Sequence, residues 1–286
     1  MTEAGRKPIG DLGRSGPPAQ REPVGLHVDR AHSARMYDYL LGGKENFPAD
    51  REAAERALAG FPHLRITARE NRAFMHRAVR YLAEQAGIRQ FLDIGTGIPT
   101  SQNLHEVAQA VSPEARVVYT DNDPIVLAHA RALLTGSPSG RTAYLDADLH
   151  DVEAILTSAE LRDTLDLSEP VALSVIAILH FFPDDQDPFG IVRALLDALP
   201  AGSYLTLTHA TADFDPAADR QAAQAYRDRG IPMQLRRREE IARFFDGLEL
   251  VDPGIQATHR WRPEGYAPTE VTDAQASIYG AVAVKK

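Results

Sequence analysis

Three aspartates and one glycine-rich turn hold the clearest chemistry in this chain. The mostly apolar run Gln90 to Ile94 contains Asp93 and leads directly into Gly95-Thr96-Gly97, while Asp121 and Asp148 each follow a later run of the same kind. In open α/β sheets, ligands bind beyond the carboxyl ends of the strands, so acids at those positions face whatever is bound. Glycines there let the backbone approach it closely. A dinucleotide site reads G-x-G-x-x-G and sets a pyrophosphate on the N-terminus of the next helix. Here the third glycine position is Thr100, and Pro99 has no N–H to offer. Asp93 would also stand close to the diphosphate, a repulsion of roughly a few kcal/mol at a partly buried site.

Carboxylates so placed suit a nucleoside with a positive end and no phosphate. S-adenosylmethionine, with its sulfonium and α-ammonium, has that character. Asp93 attracts the methionyl cation, directly or through water; Asp121 accepts from the ribose hydroxyls; Asp148 accepts from the adenine amino group. The expected cofactor-binding set is Asp93, Gly95, Thr96, Gly97, Asp121, Asn122, Asp148, Leu149 and Ala177. Competing roles exist for each acid. Asp93 can brace the loop, Asp123 rivals Asp121 as the cap of the next helix, and Asp146 rivals Asp148, which can itself be a cap in the manner of Asp151. A nicotinamide-dependent oxidoreductase is the alternative from another class. Asp121 would serve it equally, but Asp93, Pro99 and Thr100 would not.

The elements that must position these residues follow from periodicity. From residue 89 onward the pattern alternates strand and helix. Strands are predicted at Gln90 to Ile94, Arg116 to Thr120, Thr142 to Leu145, Val171 to Ile178 and Ser203 to Thr208, with helix faces such as Leu104, Val107, Ala108 and Val111 between them. That alternation predicts a parallel sheet with right-handed crossovers. Leu248 to Val251 and Ile278 to Val284 read as a terminal antiparallel hairpin with no convincing helix between its strands. Residues 29 to 86 look helical: Asp29 or Ser33 caps a helix that Gly42-Gly43 stops, and Phe74, Ala78, Val79 and Leu82 recur at helical spacing. The expected organisation is a disordered tail over 1–25, a helical cap or lid over 26–86, and a Rossmann-like α/β domain over 87–286.

Composition narrows the function classes. The chain has 286 residues, a formal charge of −9 and no cysteine. Thiol nucleophiles, disulfides and zinc–thiolate sites are excluded, and the acidic balance argues against nucleic acid as the main partner. Arg236, Arg237 and Arg238, followed by Glu239 and Glu240, read as a solvated helix start rather than a basic patch. No apolar leader is visible and the longest apolar stretch is too short to span a bilayer, so a cytoplasmic protein without membrane association is expected. No metal-ligand spacing is present.

The run Phe91 to Ile98, the run Tyr119 to Pro124 and the later Ile178-Leu179-His180-Phe181 resemble successive motifs of class I methyltransferases. More narrowly, the stretch from Arg35 to Asn46, with Trp261-Arg262-Pro263 downstream, resembles an actinobacterial S-adenosyl methyltransferase family once catalogued as a domain of unknown function. The resemblance spans about residues 27 to 284. It implies a seven-stranded, mostly parallel sheet ending in a reversed hairpin, with S-adenosylmethionine as cofactor, and it leaves the acceptor unnamed. Pro99, where many class I methyltransferases have a third glycine, departs from the pattern. Within the N-terminal stretch, Tyr37, Gly42, Gly43, Lys44 and Asn46 are expected to form a lid and part of an acceptor pocket. The bland alternative is a helix, a glycine stop and a loop. Four residues are candidates for a general base: Tyr37, Asp38, His180 and His209. Both histidines have a structural alternative. A small-molecule methyltransferase is the leading expectation, and a regulator that holds the cofactor without turnover is the second.

Overall fold

Alternation of side chains along each strand divides the hydrophobic residues between two faces of one sheet. A computed structural model describes residues 27–133, 136–263 and 270–286, so the predicted tail over 1–25 lies outside the described residues. The strands are β1 (Gln90–Ile94), β2 (Arg116–Asp121), β3 (Arg141–Asp146), β4 (Ala172–Val175), β5 (Tyr204–Ala210), β6 (Leu248–Leu250), β7 (Gln256–Ala257) and β8 (Ile278–Lys285). Their order is β3-β2-β1-β4-β5-β8-β6, with β1 to β5 parallel, β8 antiparallel to β5, and β6 antiparallel to β8. The fold is therefore the expected Rossmann-like sheet with a reversed C-terminal edge. One addition is β7, a two-residue strand paired with β8.

Eleven helices surround it among the described residues: α1 (Ser33–Leu40), α2 (Pro48–Gly60), α3 (Leu64–Glu84), α4 (Leu104–Val111), α5 (Pro124–Leu133), α6 (Val152–Thr157), α7 (Ala159–Thr164), α8 (Pro188–Asp197), α9 (Pro216–Arg227), α10 (Arg238–Ala242) and α11 (Asp273–Ala276). None of the helices among the described residues is long and apolar enough to cross a membrane. On one face, Phe91, Val117, Tyr119 and Ala172 pack with Phe74, Val79 and Leu82 of α3 and Val107 of α4. On the other, Leu92, Val118, Leu173 and Leu205 pack with Ile155 of α6, Leu161 of α7 and Val192 of α8. Helix starts follow local chemistry. Asn103 and Glu106 close a capping box on α4, and the side chains of Asp151 and Ser158 cap α6 and α7.

Three expectations are corrected here. The run predicted as one strand from Val171 to Ile178 forms only the four residues of β4. The chain leaves the sheet because Ala177 adopts φ 54°, a left-handed conformation outside the strand region. Helix α11 and a 3₁₀ turn at Thr258–Arg260 lie between β6 and β8, so the terminal pair is not a simple hairpin. The helical cap also has no clean boundary. The C-terminal half of α3 belongs to the sheet's core, while its N-terminal half joins α1 and α2. A later element completes the cap: α9 packs on α2, and Tyr226 sits among Met36, Leu40, Ala54 and Ala68.

Candidate active site

The strand order reverses at β1 and β4, which opens a crevice at their carboxyl ends. A cavity of about 440 Å³ lies there, bordered by the loops after β1, β2, β3 and β4 and roofed by α1, α3 and α9. That size is ordinary for small-molecule sites. All nine residues of the expected cofactor set line it: Asp93, Gly95, Thr96, Gly97, Asp121, Asn122, Asp148, Leu149 and Ala177.

The loop after β1 is shaped by what surrounds it. Gly95 has φ 70°, and a Cβ there would lie 2.9 Å from the Ile178 side chain, so the turn accepts no other residue without displacing the loop after β4. The backbone N–H of Gly97 donates to Asp121 Oδ2 at 2.9 Å, and that of Asp123 donates to Asp121 Oδ1 at 2.9 Å. Asp121 thus ties the two loops together and keeps a free lone pair on each oxygen. Asp123 performs the other task, accepting from the N–H of Ile125 at the start of α5 at 2.8 Å. Burial raises the pKa of Asp121, and the two N–H donors oppose that rise.

Asp93 is buried on the α3 side of the sheet. Burial pushes its carboxyl up to about 7; the guanidinium of Arg72 on α3 and the hydroxyls of Ser174 and Thr96 pull it back, and Asp121 pushes it further up. Arg72 is itself half-buried, lines the cavity, and donates to the carbonyls of Thr100 and Gln102, the latter at 2.7 Å. Asp148 is more exposed, at the rim. It accepts from Asn122 Nδ2 at 2.9 Å and from the backbone N–H of His150 at 2.9 Å, and these bonds outweigh its partial desolvation and lower its pKa.

The residues singled out in the N-terminal stretch separate in space. Tyr37 lines the cavity; its hydroxyl donates to the carbonyl of Ala68 at 3.0 Å and accepts from Asn71 Nδ2 at 2.9 Å. Asp38, Gly42, Gly43, Lys44 and Asn46 do not line it. Asp38 accepts from the N–H of Glu45 at 2.9 Å and from Asn46 Nδ2 at 2.8 Å, and a Cβ on Gly43 would fall 1.9 Å from its Oδ1. Gly43 is bare because a carboxylate occupies the space. Lys44 is exposed. The cap is seated by α1: His32 Nδ1 lies 3.0 Å from Asp123, and Arg35 Nε lies 3.3 Å from Asp50.

The two histidines also differ. His180, on the 3₁₀ turn after β4, lines the cavity; burial, with Arg236 nearby, drives its pKa down to about 3. His209 in β5 does not line it. Its Nδ1 donates to its neighbour's carbonyl, Ala210 O, at 2.7 Å, so Nε2 is the acceptor for Arg236 Nη1 at 2.7 Å. Burial holds it well below its usual range. Arg236 corrects the expectation of a solvated run. It is buried, and it also binds the carbonyls of Leu179 and Phe182 and the carboxylate of Asp184. It bolts the loop after β4 to β5.

Among the polar lining residues that sequence reasoning missed are Arg72, Asn71, Asp219, Thr67 and Ser277. Asn71 interrupts the apolar stripe Ala68, Met75, Ala78 and Leu82 of α3. Asp219 opens the buried stripe Ala222, Ala223 and Tyr226 of α9. A polar residue on a buried face was the available signal.

Sheet order, glycine turn and acidic strand tips meet in one crevice of a Rossmann-like sheet. The comparisons specify it further. The S-adenosyl methyltransferase family profile matches residues 19–286. A DUF574 family protein from Streptomyces avermitilis is 53% identical, with a TM-score of 0.90 over 92% of this chain and 100% of its own. A candidate methyltransferase from Thermobifida fusca is 42% identical, with a TM-score of 0.85 over 94% of this chain and 100% of its own. No curated protein matches. The chain belongs to the S-adenosyl methyltransferase family, and its cofactor is S-adenosylmethionine.

Proposed function

We propose that this protein transfers the methyl group of S-adenosylmethionine to a small molecule held in the inner half of the cavity, between the strand tips and α9. The observation that carries the reading is continuity. One cavity runs from the acids of β1, β2 and the loop after β3 to an apolar chamber walled by Phe61, Leu64, Phe181, Tyr226 and Met233. A recessed cavity of about 440 Å³ suits small molecules.

The donor set fits the cofactor. Bare glycines admit a close ligand, and the acids match its cationic and hydroxyl groups. When bound, S-adenosylmethionine supplies a methyl carbon that its sulfonium has already activated for in-line displacement. The remaining work is binding and orientation, worth up to roughly 7–11 kcal/mol in well-aligned systems. Asp121 accepts from ribose hydroxyls with the lone pairs its backbone donors leave free. Asp93, once ionised, holds a cation, and Arg72 beside it faces the carboxylate end of an amino acid. Asp148 and Asn122 read the adenine edge at the rim, and Leu149 supplies an apolar contact. His180, whose pKa burial lowers to about 3, is a weak proton acceptor, and both ring nitrogens of His209 are already engaged.

Titration calorimetry tests the reading. The intact protein should bind S-adenosylmethionine and Asp121→Ala should bind it far more weakly. Absence of binding to the intact protein rules the proposal out, and a mass-spectrometric screen of amine, hydroxyl and thiol acceptors then separates turnover from storage.

A further inference from the structure

The chamber walls formed by α3 and α9 carry two buried oxygen acceptors with nothing to accept from. The Tyr37 hydroxyl spends its proton on the carbonyl of Ala68, so it must receive the Asn71 amide N–H at 2.9 Å. That fixes the amide's orientation and leaves Asn71 Oδ1 as the outward acceptor. Oδ1 is buried without a partner. Across the chamber, Ser277 Oγ donates to Asp219 Oδ1 at 2.7 Å, and Asp219 Oδ2 is likewise buried without a partner. The two walls meet nearby, where Thr67, one turn before Asn71, donates to the carbonyl of Gln275 at 2.8 Å, two residues before Ser277. Buried polar atoms are nearly always satisfied, so such a pair calls for an explanation.

Charge narrows the choice. The cavity lining carries four aspartates, Asp93, Asp121, Asp148 and Asp219, against one arginine, Arg72. Three of the acids and the arginine are committed to the nucleoside end under the methyltransferase reading, on which this inference rests. Asp219 is left over, among Phe61, Leu64, Ala222 and Tyr226.

We propose that Asp219 and Asn71 form the polar anchor of the acceptor pocket, and that the acceptor is a small, largely apolar molecule bearing an amine head. The amine donates to Asp219 Oδ2 and Asn71 Oδ1 while its apolar body fills the space between α3 and α9. A carboxylate-headed molecule of the same size is excluded, because both anchors are acceptors and one is anionic. Burial raises Asp219 to about 6, with Ser277 opposing the rise, so its carboxylate is available to a cation at neutral pH.

Three phenyl probes of matched size test this on the protein loaded with S-adenosylhomocysteine: 2-phenylethylamine, n-propylbenzene and 3-phenylpropionate. Calorimetry should rank the amine at least about tenfold tighter than the hydrocarbon, with the carboxylate weakest. In D219N the gap between amine and hydrocarbon should close to within about threefold, with S-adenosylhomocysteine affinity unchanged. Equal binding of amine and hydrocarbon, a gap that survives in D219N, or no binding of the amine overturns the proposal. Should D219N fail to fold, the wild-type ranking decides: amine first supports it and any other order overturns it. The nucleoside's own titration comes first. Its failure would sink the methyltransferase reading, whereas nucleoside binding without amine selectivity sinks only the anchor.

Discussion

The outer and inner halves of one cavity are built on different principles. The outer half, at the tips of β1 and β2 and the loop after β3, is made of backbone and short acids that brace neighbouring loops: Asp121 ties two loops and Asp148 is held by Asn122 and His150. The inner half is made of side chains from α1, α3, α9 and the α11–β8 joint, and it keeps unpartnered acceptors at Asn71 and Asp219. Local backbone positions the outer acids, whereas contacts between distant helices position the inner ones.

The largest expected effect comes from removing the bolt between β5 and the loop after β4, on which both halves rest. Arg236→Ala strands the carbonyls of Leu179 and Phe182 and the Nε2 of His209, so it should cost about 3–5 kcal/mol of stability in urea denaturation. A loss under 1 kcal/mol would show that the loop after β4 holds itself. Next in size, Asp121→Ala should weaken S-adenosylmethionine by about 100-fold, or about 3 kcal/mol, without changing probe binding in the inner half. Equal losses in both would mean that the halves are not separable.

A smaller effect concerns pH. Under the proposed reading Asp93 meets the cofactor's positive end and must be ionised to attract it, and burial raises its pKa to about 7 despite Arg72, Ser174 and Thr96. Affinity should therefore fall about tenfold from pH 8 to pH 6 in the wild type. Asp93→Asn should flatten the curve once the ligand's own titration is subtracted. The stability sign runs the other way. Between about pH 4 and 7 the folded protein retains a proton on Asp93 that the unfolded chain has released, so this group's contribution declines as pH rises through that window. Smallest of all, Tyr37→Phe removes the donor to Ala68 O and the acceptor for Asn71, and should cost about 1 kcal/mol by thermal melting. No change would mean that Asn71 finds another partner.

The outer half was legible because its chemistry is local in sequence. Asp93, Gly95 and Gly97 sit within five residues, and apolar runs mark the strands that carry them. Strand order and the reversed edge followed from the alternation and the family motifs. Of the inner half only Tyr37 was singled out from sequence; Asn71, Asp219 and Ser277 were hidden because they come from distant segments, and nothing in a stripe of alanines announces a cavity wall. The overlong β4 was a failure of periodicity: Ile176 and Ile178 are as apolar as the strand, but the left-handed Ala177 between them turns the chain out of the sheet. Arg236 misled because a charged residue beside two more arginines looks solvated; His209 has the structural role that sequence reading gave as its alternative, and it satisfies Arg236.

Helix α3 presses its last turns into the sheet's own hydrophobic interior while its first turns present Thr67, Asn71 and Arg72 to the ligand chamber. Selection on that one helix acts on folding and recognition together. A substitution in the first turns of α3 therefore alters the cavity wall on a helix that also anchors the sheet, and one in α9 alters it on a helix that also holds α2.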